Sequence, residues 1–285
     1  MLETFHFLYT NDLHSYFDHW SRVATFLKLK RLEYEERKQS YWVVDIGDHI
    51  DRVSPITEAT MGKANVGLLN DLEYDYITIG NNEGLTLAHN DLYHLYDDAT
   101  FEVIVSNLQC TEKEAPNWLS SYQIITSTGG VRIGLIGLTA PFNPYYHLLG
   151  WHVEPIFPTL ENLLEKLRGK TDVILLLSHL GIYEDERIAK HFPEIDVIIG
   201  GHTHHLLRSG ETVGETLLTA AGKHCAHVGE VSITFDHSKK KVVNKQAVTT
   251  EIEPLHRDLR TEERIWELEE QAEVILSKRI IEVDE

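Results

Sequence analysis

Apolar runs rich in β-branched and aromatic residues recur along the chain, and each run predicts a buried strand. They lie at residues 5–9, 42–46, 76–79, 102–105, 131–138, 173–177 and 197–199. Between them, apolar residues spaced three and four apart at 23–32, 66–72 and 160–167 predict amphipathic helices. This alternation of strands and helices indicates an α/β sandwich.

The pattern changes in the last quarter of the chain. Runs at 216–220, 228–235 and 241–248 have no helix between them, and they predict antiparallel strands that close the second sheet. A helical stripe over 261–278, with Thr261 as the expected N-cap, predicts one helix outside the core. Apolar residues at 280–283 then predict the start of another strand. We expect one domain over 1–255 and a connecting segment over 256–285.

Composition and charge narrow the class of protein. An apolar fraction of 42% over 285 residues is enough for a folded core. No apolar run reaches the roughly 20 residues of a membrane span, and the N-terminus lacks a signal-peptide pattern, so we expect a cytoplasmic protein without membrane contact. The 2 cysteines exclude a disulfide scaffold, and a net charge of −19 disfavours nucleic-acid partners.

Side chains with metal-binding atoms follow the predicted strands. They are Asp12, His14, Asp48, Asn81, His179, His202 and His204. Taken singly, each of them is compatible with a turn residue or a helix cap. The carboxyl ends of the strands are, however, where α/β sheets bind ligands, and this mixture of carboxylate, imidazole and amide suits zinc, manganese or iron. Together these side chains predict a metal centre.

The motifs around these residues resemble those of the calcineurin-like metallophosphoesterases, and most of all the 5'-nucleotidase branch. The motifs are Asp12-Leu13-His14, Gly47-Asp48, Gly80-Asn81, His179 and Gly201-His202-Thr203-His204. The resemblance covers residues 5–248 and implies a four-layer α/β/β/α sandwich with two divalent metal ions (manganese, zinc or iron). It implies that one ion is held by Asp12, His14, Asp48 and His204. It implies that the second is held by Asp48, Asn81, His179 and His202.

The resemblance also implies an activity. Two cations that share Asp48 activate a hydroxide and clamp a phosphoryl group for in-line attack, so we expect a hydrolase of small-molecule phosphate esters, with nucleotides as substrates. In that family a C-terminal domain, joined through a helix, recognises much of the substrate. The expected organisation is therefore a catalytic domain over 1–255, and a linker helix with the start of a C-terminal domain over 256–285.

One position departs from the family pattern. Asn82 and Leu85 stand where the family has a His and an Asp, and an amide cannot deliver a proton to a leaving group. Loss of general acid catalysis typically lowers the reaction rate about 100-fold to 10,000-fold. Two explanations stay open. Either another group supplies the proton or stabilises charge, with His49, Asp51 and Arg52 as candidates and His205 and His224 as further ones, or the metals suffice for good leaving groups. Asn82 can donate a hydrogen bond to a phosphoryl oxygen, and it is a catalytic candidate together with Arg52 and His49.

Other functions compete with a nucleotidase. A catalytically weakened module that binds metal and phosphate is favoured by Asn82 and Leu85, but it does not explain why all seven ligand positions are present. A cyclic phosphodiesterase or a sugar-nucleotide hydrolase fits the same centre. A nuclease is disfavoured by the negative charge and the lack of a basic groove.

Overall fold

The structure, a computed structural model, describes residues 1–283 of the chain, which form fifteen strands and nine α-helices. The first strands are β1 (Leu2–Thr10), β2 (Tyr41–Asp45), β3 (Tyr76–Ile77), β4 (Glu102–Ile104), β5 (Leu108–Cys110), β6 (Leu119–Ser120), β7 (Gln123–Thr126) and β8 (Arg132–Thr139). The later strands are β9 (Trp151–Val153), β10 (Val173–His179), β11 (Val197–Gly200), β12 (Glu211–Val213), β13 (Thr216–Thr219), β14 (His227–Asp236) and β15 (Lys241–Glu251). The helices are α1 (Trp20–Glu36), α2 (Pro55–Thr60), α3 (Lys63–Asp71), α4 (Asn81–Thr86), α5 (His89–Tyr93), α6 (Asn143–Tyr146), α7 (Ile156–Leu167), α8 (Ile182–His191) and α9 (Leu259–Val283).

Most of the strands belong to two large mixed sheets. Over the described residues, the first sheet has the order β15-β14-β1-β2-β3-β4-β6 and the second has the order β12-β13-β11-β10-β8-β7. The central strands of both sheets run parallel, as expected for an α/β fold. The prediction that the last strands close the second sheet is wrong for β14 and β15, which extend the first sheet antiparallel to β1. An alternating pattern predicts a strand pair, but it does not specify which sheet edge that pair joins.

The layers follow from where apolar side chains are buried. Phe5 and Phe7 of β1 pack with Leu175 and Leu177 of β10 in a core between the two sheets. The outer face of the first sheet is covered by α1, α3 and α9, and the outer face of the second by α7 and α8. This arrangement confirms the predicted α/β/β/α sandwich, because each sheet buries one face against the other sheet and one against helices.

Helix α9 differs from its prediction in three respects. It begins at Leu259, and the carboxylate of Asp258, not Thr261, caps it by accepting the backbone N–H of Thr261 at 3.1 Å. Its apolar stripe, including Leu268 and Ala272, is buried in the same core as α1, so the helix is not outside the core. The strand predicted at 280–283 is wrong, because the helix continues to Val283. Among residues 1–283, no helix is both long enough and apolar enough to cross a membrane.

Loops at the carboxyl ends of the parallel strands meet at one edge of the sandwich. The loop after β1 is tied to the loop after β2 by backbone hydrogen bonds from Asp12 N–H to the carbonyl of Gly47, 3.0 Å, and from His14 N–H to that of Asp48, 2.8 Å. On the second sheet, Gly201 N–H donates to the carbonyl of Ser178 at 2.9 Å. Backbone bonds therefore hold the loops that carry the predicted ligands.

Candidate metal centre

Five of the predicted ligands have left-handed backbone conformations, which residues other than glycine rarely adopt. They are Asp12 (φ 52°), His14 (φ 51°), Asp48 (φ 49°), His202 (φ 72°) and His204 (φ 55°). Such conformations each cost of order 1 kcal/mol or more and concentrate at functional sites. The loop-to-loop hydrogen bonds described above stabilise them. This backbone geometry directs side chains from distant parts of the chain toward one point.

The imidazole and carboxylate ligands form two adjacent groups. In each group the ligand atoms lie within 4.8 Å of one another, and the groups are Asp12 with His14 and His204, and Asp48 with His179 and His202. Within the first group, His204 Nε2 is 3.4 Å from Asp12 Oδ1. Within the second, His179 Nε2 is 3.3 Å from Asp48 Oδ2.

Asp48 lies between the two groups. Its Oδ2 is also 3.8 Å from Nε2 of His14, which belongs to the first group. Nε2 of His179 is likewise 4.0 Å from Oδ1 of Asp12 across the same boundary. The structure therefore brings together six of the seven predicted ligands in one candidate metal site, which we call the metal cluster, with Asp48 placed to contact both halves.

Two of the predicted ligands have a buried atom with no hydrogen-bond partner among the described residues. These atoms are Oδ1 of Asn81 and Nε2 of His179. The Nδ1 of His179 donates to the carbonyl oxygen of Ile46 at 2.8 Å, so in the neutral, metal-binding form of the ring the lone pair of Nε2 is on the side of Asp48. An unpaired buried polar atom is costly, and a divalent cation would satisfy both atoms. The donor set thus fits divalent metal ions, and Asn81 is the seventh candidate ligand.

Two residues that the sequence analysis missed hold the carboxylates in place. Asn11 donates from Nδ2 to Oδ2 of Asp12 at 2.7 Å and accepts the N–H of Ala221 at 3.0 Å. Glu83 accepts backbone N–H bonds from Asp48 at 3.0 Å and from Gly80 at 2.8 Å. Burial raises the pKa of Glu83 to about 7, and the charge of Asp48 adds to the effect. Their one sequence signal is adjacency to Asp12 and to Gly80-Asn81.

The electrostatics of the cluster favour cation binding. Burial lowers the pKa of His14 and of His202, which keeps these rings neutral as metal ligation requires. Burial alone would also lower the pKa of His179, but the carboxylates of Asp48 and Asp12 raise it to about 10. Without a metal, His179 therefore carries the positive charge that a cation supplies when it is bound.

Among the predicted catalytic residues, Asn82 alone contacts a ligand of the cluster through its side chain. Its amide nitrogen lies 2.9 Å from Nδ1 of His14 and 3.1 Å from the carbonyl oxygen of Ile50. Its backbone N–H donates to Oδ1 of Asp48 at 2.7 Å. Asn82 therefore orients two ligands of the cluster.

Arg52 and His49 are bound to other partners. Arg52 forms an ion pair with Glu58, at 2.6 Å from Nε to Oε2, and donates to the carbonyl of Thr86 at 2.8 Å. His49 is buried, with its ring edge-on to Trp20 at 5.1 Å, and burial lowers its pKa to about 3. Their side-chain contacts are those of structural residues.

Of the further candidates, Asp51 and His224 lie beside the cluster. Oδ2 of Asp51 is 3.8 Å from Nδ1 of His14, and the ring of His224 meets that of His14 edge-on at 6.0 Å. His205 is exposed and contacts Thr203. A cavity of about 1010 Å³ opens at His14 and extends to α9.

Comparisons with known proteins agree with this geometry. Residues 5–206 match the model of the calcineurin-like phosphoesterase family. The chain is 42% identical over 284 residues to the uncharacterized metallophosphoesterase YunD of Bacillus subtilis, a match that covers 99% of this chain and 62% of YunD. It is 31% identical over 157 residues to the snake venom 5'-nucleotidase of Gloydius brevicauda, which covers 52% of this chain and 26% of that protein.

Solved structures share the fold. The 5'-nucleotidase precursor of Thermus thermophilus aligns with a TM-score of 0.81 at 21% identity, over 95% of this chain and 59% of that one. The calcineurin-like phosphoesterase YfkN of Bacillus subtilis also aligns with a TM-score of 0.81, at 19% identity. That alignment covers 96% of this chain and 99% of YfkN. The chain thus spans less than two thirds of YunD and of both nucleotidases. The resemblance inferred from the motifs is confirmed, and the chain belongs to the calcineurin-like phosphoesterase family, with 5'-nucleotidases among its relatives.

Proposed function

We propose that this chain hydrolyses phosphate esters, with nucleotides as substrates, at a centre that holds two divalent metal ions. The observation that carries the proposal is the pair of adjacent ligand groups with Asp48 between them. The relatives that are named 5'-nucleotidases support a nucleotide as the substrate. The cytoplasmic location and the C-terminal recognition domain stay predictions from the sequence.

Each half of the cluster offers a complete set of ligands for one ion. Asp12, His14 and His204 would hold the first, while His179, His202 and Asn81 would hold the second, with Asp48 shared. Two divalent ions bound there acidify water and neutralise the charge of the phosphoryl oxygens. The carboxylate and imidazole donors suit manganese, zinc or iron.

Surrounding residues orient the ligands for this role. The carbonyl of Ile46 fixes the tautomer of His179, so that Nε2 is free to bind a metal. For His14 to bind through Nε2, its proton must be on Nδ1, and the amide of Asn82 must then turn so that its oxygen accepts a hydrogen bond from Nδ1–H. Asn82 is thus a positioning residue for His14.

The supply of a proton to the leaving group sets the range of substrates. Asn82 cannot deliver a proton, Arg52 is paired with Glu58, and His49 is buried beside Trp20. We therefore expect esters with good leaving groups, such as nitrophenyl phosphate, to react about 100-fold faster than alkyl phosphates. Equal rates on the two would show that another group donates the proton.

The test is hydrolysis of nitrophenyl phosphate, bis-nitrophenyl phosphate and AMP with added manganese or zinc, beside the variant Asp48→Asn. We expect metal-dependent turnover in the wild type and at least about a 1000-fold loss in the variant, because the shared ligand is altered. Counting of bound metal should give two equivalents in the wild type. Two bound equivalents without turnover would favour the second candidate, a binding module, which the substitution of the family's proton donor by Asn82 supports.

A further inference from the structure

The large cavity beside the metal cluster has one wall that belongs to the cluster and another that belongs to α9. It begins at His14 and His204, continues over Tyr16 and His224, and reaches Trp266 on the helix. Its volume of about 1010 Å³ is at the upper end of the range for small-molecule sites, roughly 300–1,000 Å³. A phosphoester anchored at the cluster therefore has room for a bulky group on this side.

Aromatic residues line the cavity from the loop after β1 and from α9. Tyr16 stacks on His224 with ring centroids 4.9 Å apart and an interplanar angle of 27°. The backbone N–H of His224 donates to the carbonyl of Asp12 at 2.8 Å, so this stacked pair is tied to the loop that carries the metal ligands. Tyr16 is 43% exposed and Trp266 is 61% exposed, which leaves ring surface available to a ligand.

The wall formed by α9 is acidic. Glu262 is paired with Arg257, whereas Glu269 and Glu273 stand one turn apart on the side that faces the cavity. Carboxylates accept hydrogen bonds from hydroxyl groups and repel anions. A ligand that fits the cavity therefore has a phosphate at the end formed by the metal cluster. At the end formed by α9 it has a flat, uncharged group that bears hydroxyls.

We propose that this cavity is the leaving-group subsite and that it takes the nucleoside of a nucleoside monophosphate, an inference that rests on the proposed function. The base stacks on Tyr16 and Trp266, which line the cavity from the loop after β1 and from α9. Glu269 and Glu273 accept hydrogen bonds from hydroxyl groups and disfavour leaving groups with an additional phosphate. Helix α9 thus supplies substrate recognition from within this chain.

Kinetics on paired substrates test the aromatic walls. Tyr16→Ala and Trp266→Ala should each lower kcat/KM for AMP about tenfold more than kcat/KM for glycerol phosphate, because glycerol offers no ring to stack. Tyr183→Ala is the matched control, since Tyr183 is exposed but lies outside the cavity. Equal losses on AMP and glycerol phosphate in the two variants, or no losses, would overturn the proposal.

A charge reversal tests the acidic wall. Glu269→Lys should raise the rate on adenosine 3',5'-bisphosphate relative to AMP by roughly threefold, because a repulsive charge becomes attractive. Glu270→Lys makes the same change on the same helix, away from the cavity lining, and should leave that ratio unchanged. An equal change in both variants would assign the effect to net charge and contradict the proposal.

Binding of adenosine separates this inference from the proposed activity. By calorimetry, adenosine should bind the wild-type chain, and Tyr16→Ala should weaken it about tenfold. Tyr16-dependent binding in a chain that hydrolyses no phosphate ester would keep the subsite and overturn the proposed function. Turnover of AMP with no binding of adenosine would keep the function and overturn the subsite.

Discussion

Two regions of this molecule bury histidine beside carboxylate, and they differ in how the polar atoms are satisfied. On the outer face of the first sheet, which we call the polar cluster, His6 contacts Ser232 through Nδ1 at 3.0 Å and Gln39 through Nε2 at 3.3 Å. Glu230 pairs with Lys30 there at 2.8 Å. In the metal cluster, by contrast, Nε2 of His179 is buried and has no hydrogen-bond partner within the described part of the chain.

The backbone differs between the two regions as well. His6 and Glu230 lie in the paired strands β1 and β14, with His6 opposite Ser232. Asp12 and Asp48 lie in loops and have left-handed conformations. Both nitrogens of His6 thus have protein partners, whereas Nε2 of His179 has none. An unpaired imidazole nitrogen beside left-handed carboxylate residues distinguishes the candidate metal cluster, and residue type alone does not.

Among these substitutions, Gly80→Ala should lower activity most, because it disturbs the metal cluster directly. A Cβ at Gly80 would lie 2.0 Å from Oδ1 of Asp48, so the shared ligand must move, and a shift of about 1 Å costs on the order of 100-fold in rate. The measurement is kcat/KM on nitrophenyl phosphate with added metal. Gly67→Ala is the control, since a Cβ there meets nothing within 4 Å, and full activity in both variants would contradict the proposed role of Asp48.

Metal addition should stabilise the chain through the metal cluster alone. At 100 times the dissociation constant, each bound ion adds about 2.7 kcal/mol to the free energy of unfolding, which raises Tm by roughly 5 °C or more. Calorimetry with chelator and then with manganese measures the shift. Asp48→Asn should lose most of the metal-induced rise in Tm. Glu230→Gln should lower Tm both with chelator and with manganese, but the rise on metal addition should stay the same. A shift retained in Asp48→Asn would place the metal elsewhere.

A smaller effect is expected where Asn82 orients His14. Asn82→Ala should weaken metal affinity about tenfold. Removing a hydrogen-bond partner that orients a metal ligand typically weakens metal affinity about 10-fold to 100-fold. Ser232→Ala removes the equivalent partner of His6 in the polar cluster and should leave metal affinity unchanged. Titration with a metal-sensitive dye gives both values, and identical affinities in wild type and Asn82→Ala would contradict the positioning role.

The last prediction concerns the stability that Glu230 contributes to the polar cluster. Burial would raise the pKa of Glu230, but hydrogen bonds from His6 and Lys30 lower it to about 2 from its ordinary value of 4.5. A lowered pKa stabilises the fold above about pH 4.5, and the contribution is lost as pH falls toward 2. Glu230→Gln should therefore cost about 1–2 kcal/mol at pH 7 and progressively less below pH 4.5.

Urea unfolding of the wild type and of Glu230→Gln at pH 7, 5, 4 and 3 measures this difference. A gap between the two proteins that stays constant from pH 5 to pH 3 would show that the carboxylate of Glu230 titrates normally.

Much of the fold was predictable because strands and helices bury continuous apolar surface. The strands predicted around residues 5–9, 42–46 and 173–177 are present as β1, β2 and β10. Short elements such as β5 and β12 were missed, since three residues carry no clear period. The burial of α9 was missed because its stripe is narrow and the pattern does not name the surface it covers.

The predicted ligands lie close together where a motif and a strand end coincide. The structure brings the predicted ligands Asp12, His14, Asp48, His179, His202 and His204 into one cluster, whereas Arg52 and His49 take structural partners. Asn11 and Glu83 were missed because their role is to hydrogen-bond backbone and ligands that meet only after folding.

Periodicity and strand-end motifs are local properties of the chain, so they were enough to predict the α/β class, the family and the candidate ligand side chains. The sheet that receives β14, the position of α9 and the groups that face the cavity follow from the folded structure. These depend on contacts between residues far apart in sequence, such as Asn11 with Ala221 and Asp48 with Glu83. Side-chain partners in the folded protein therefore distinguish the metal cluster from the polar cluster.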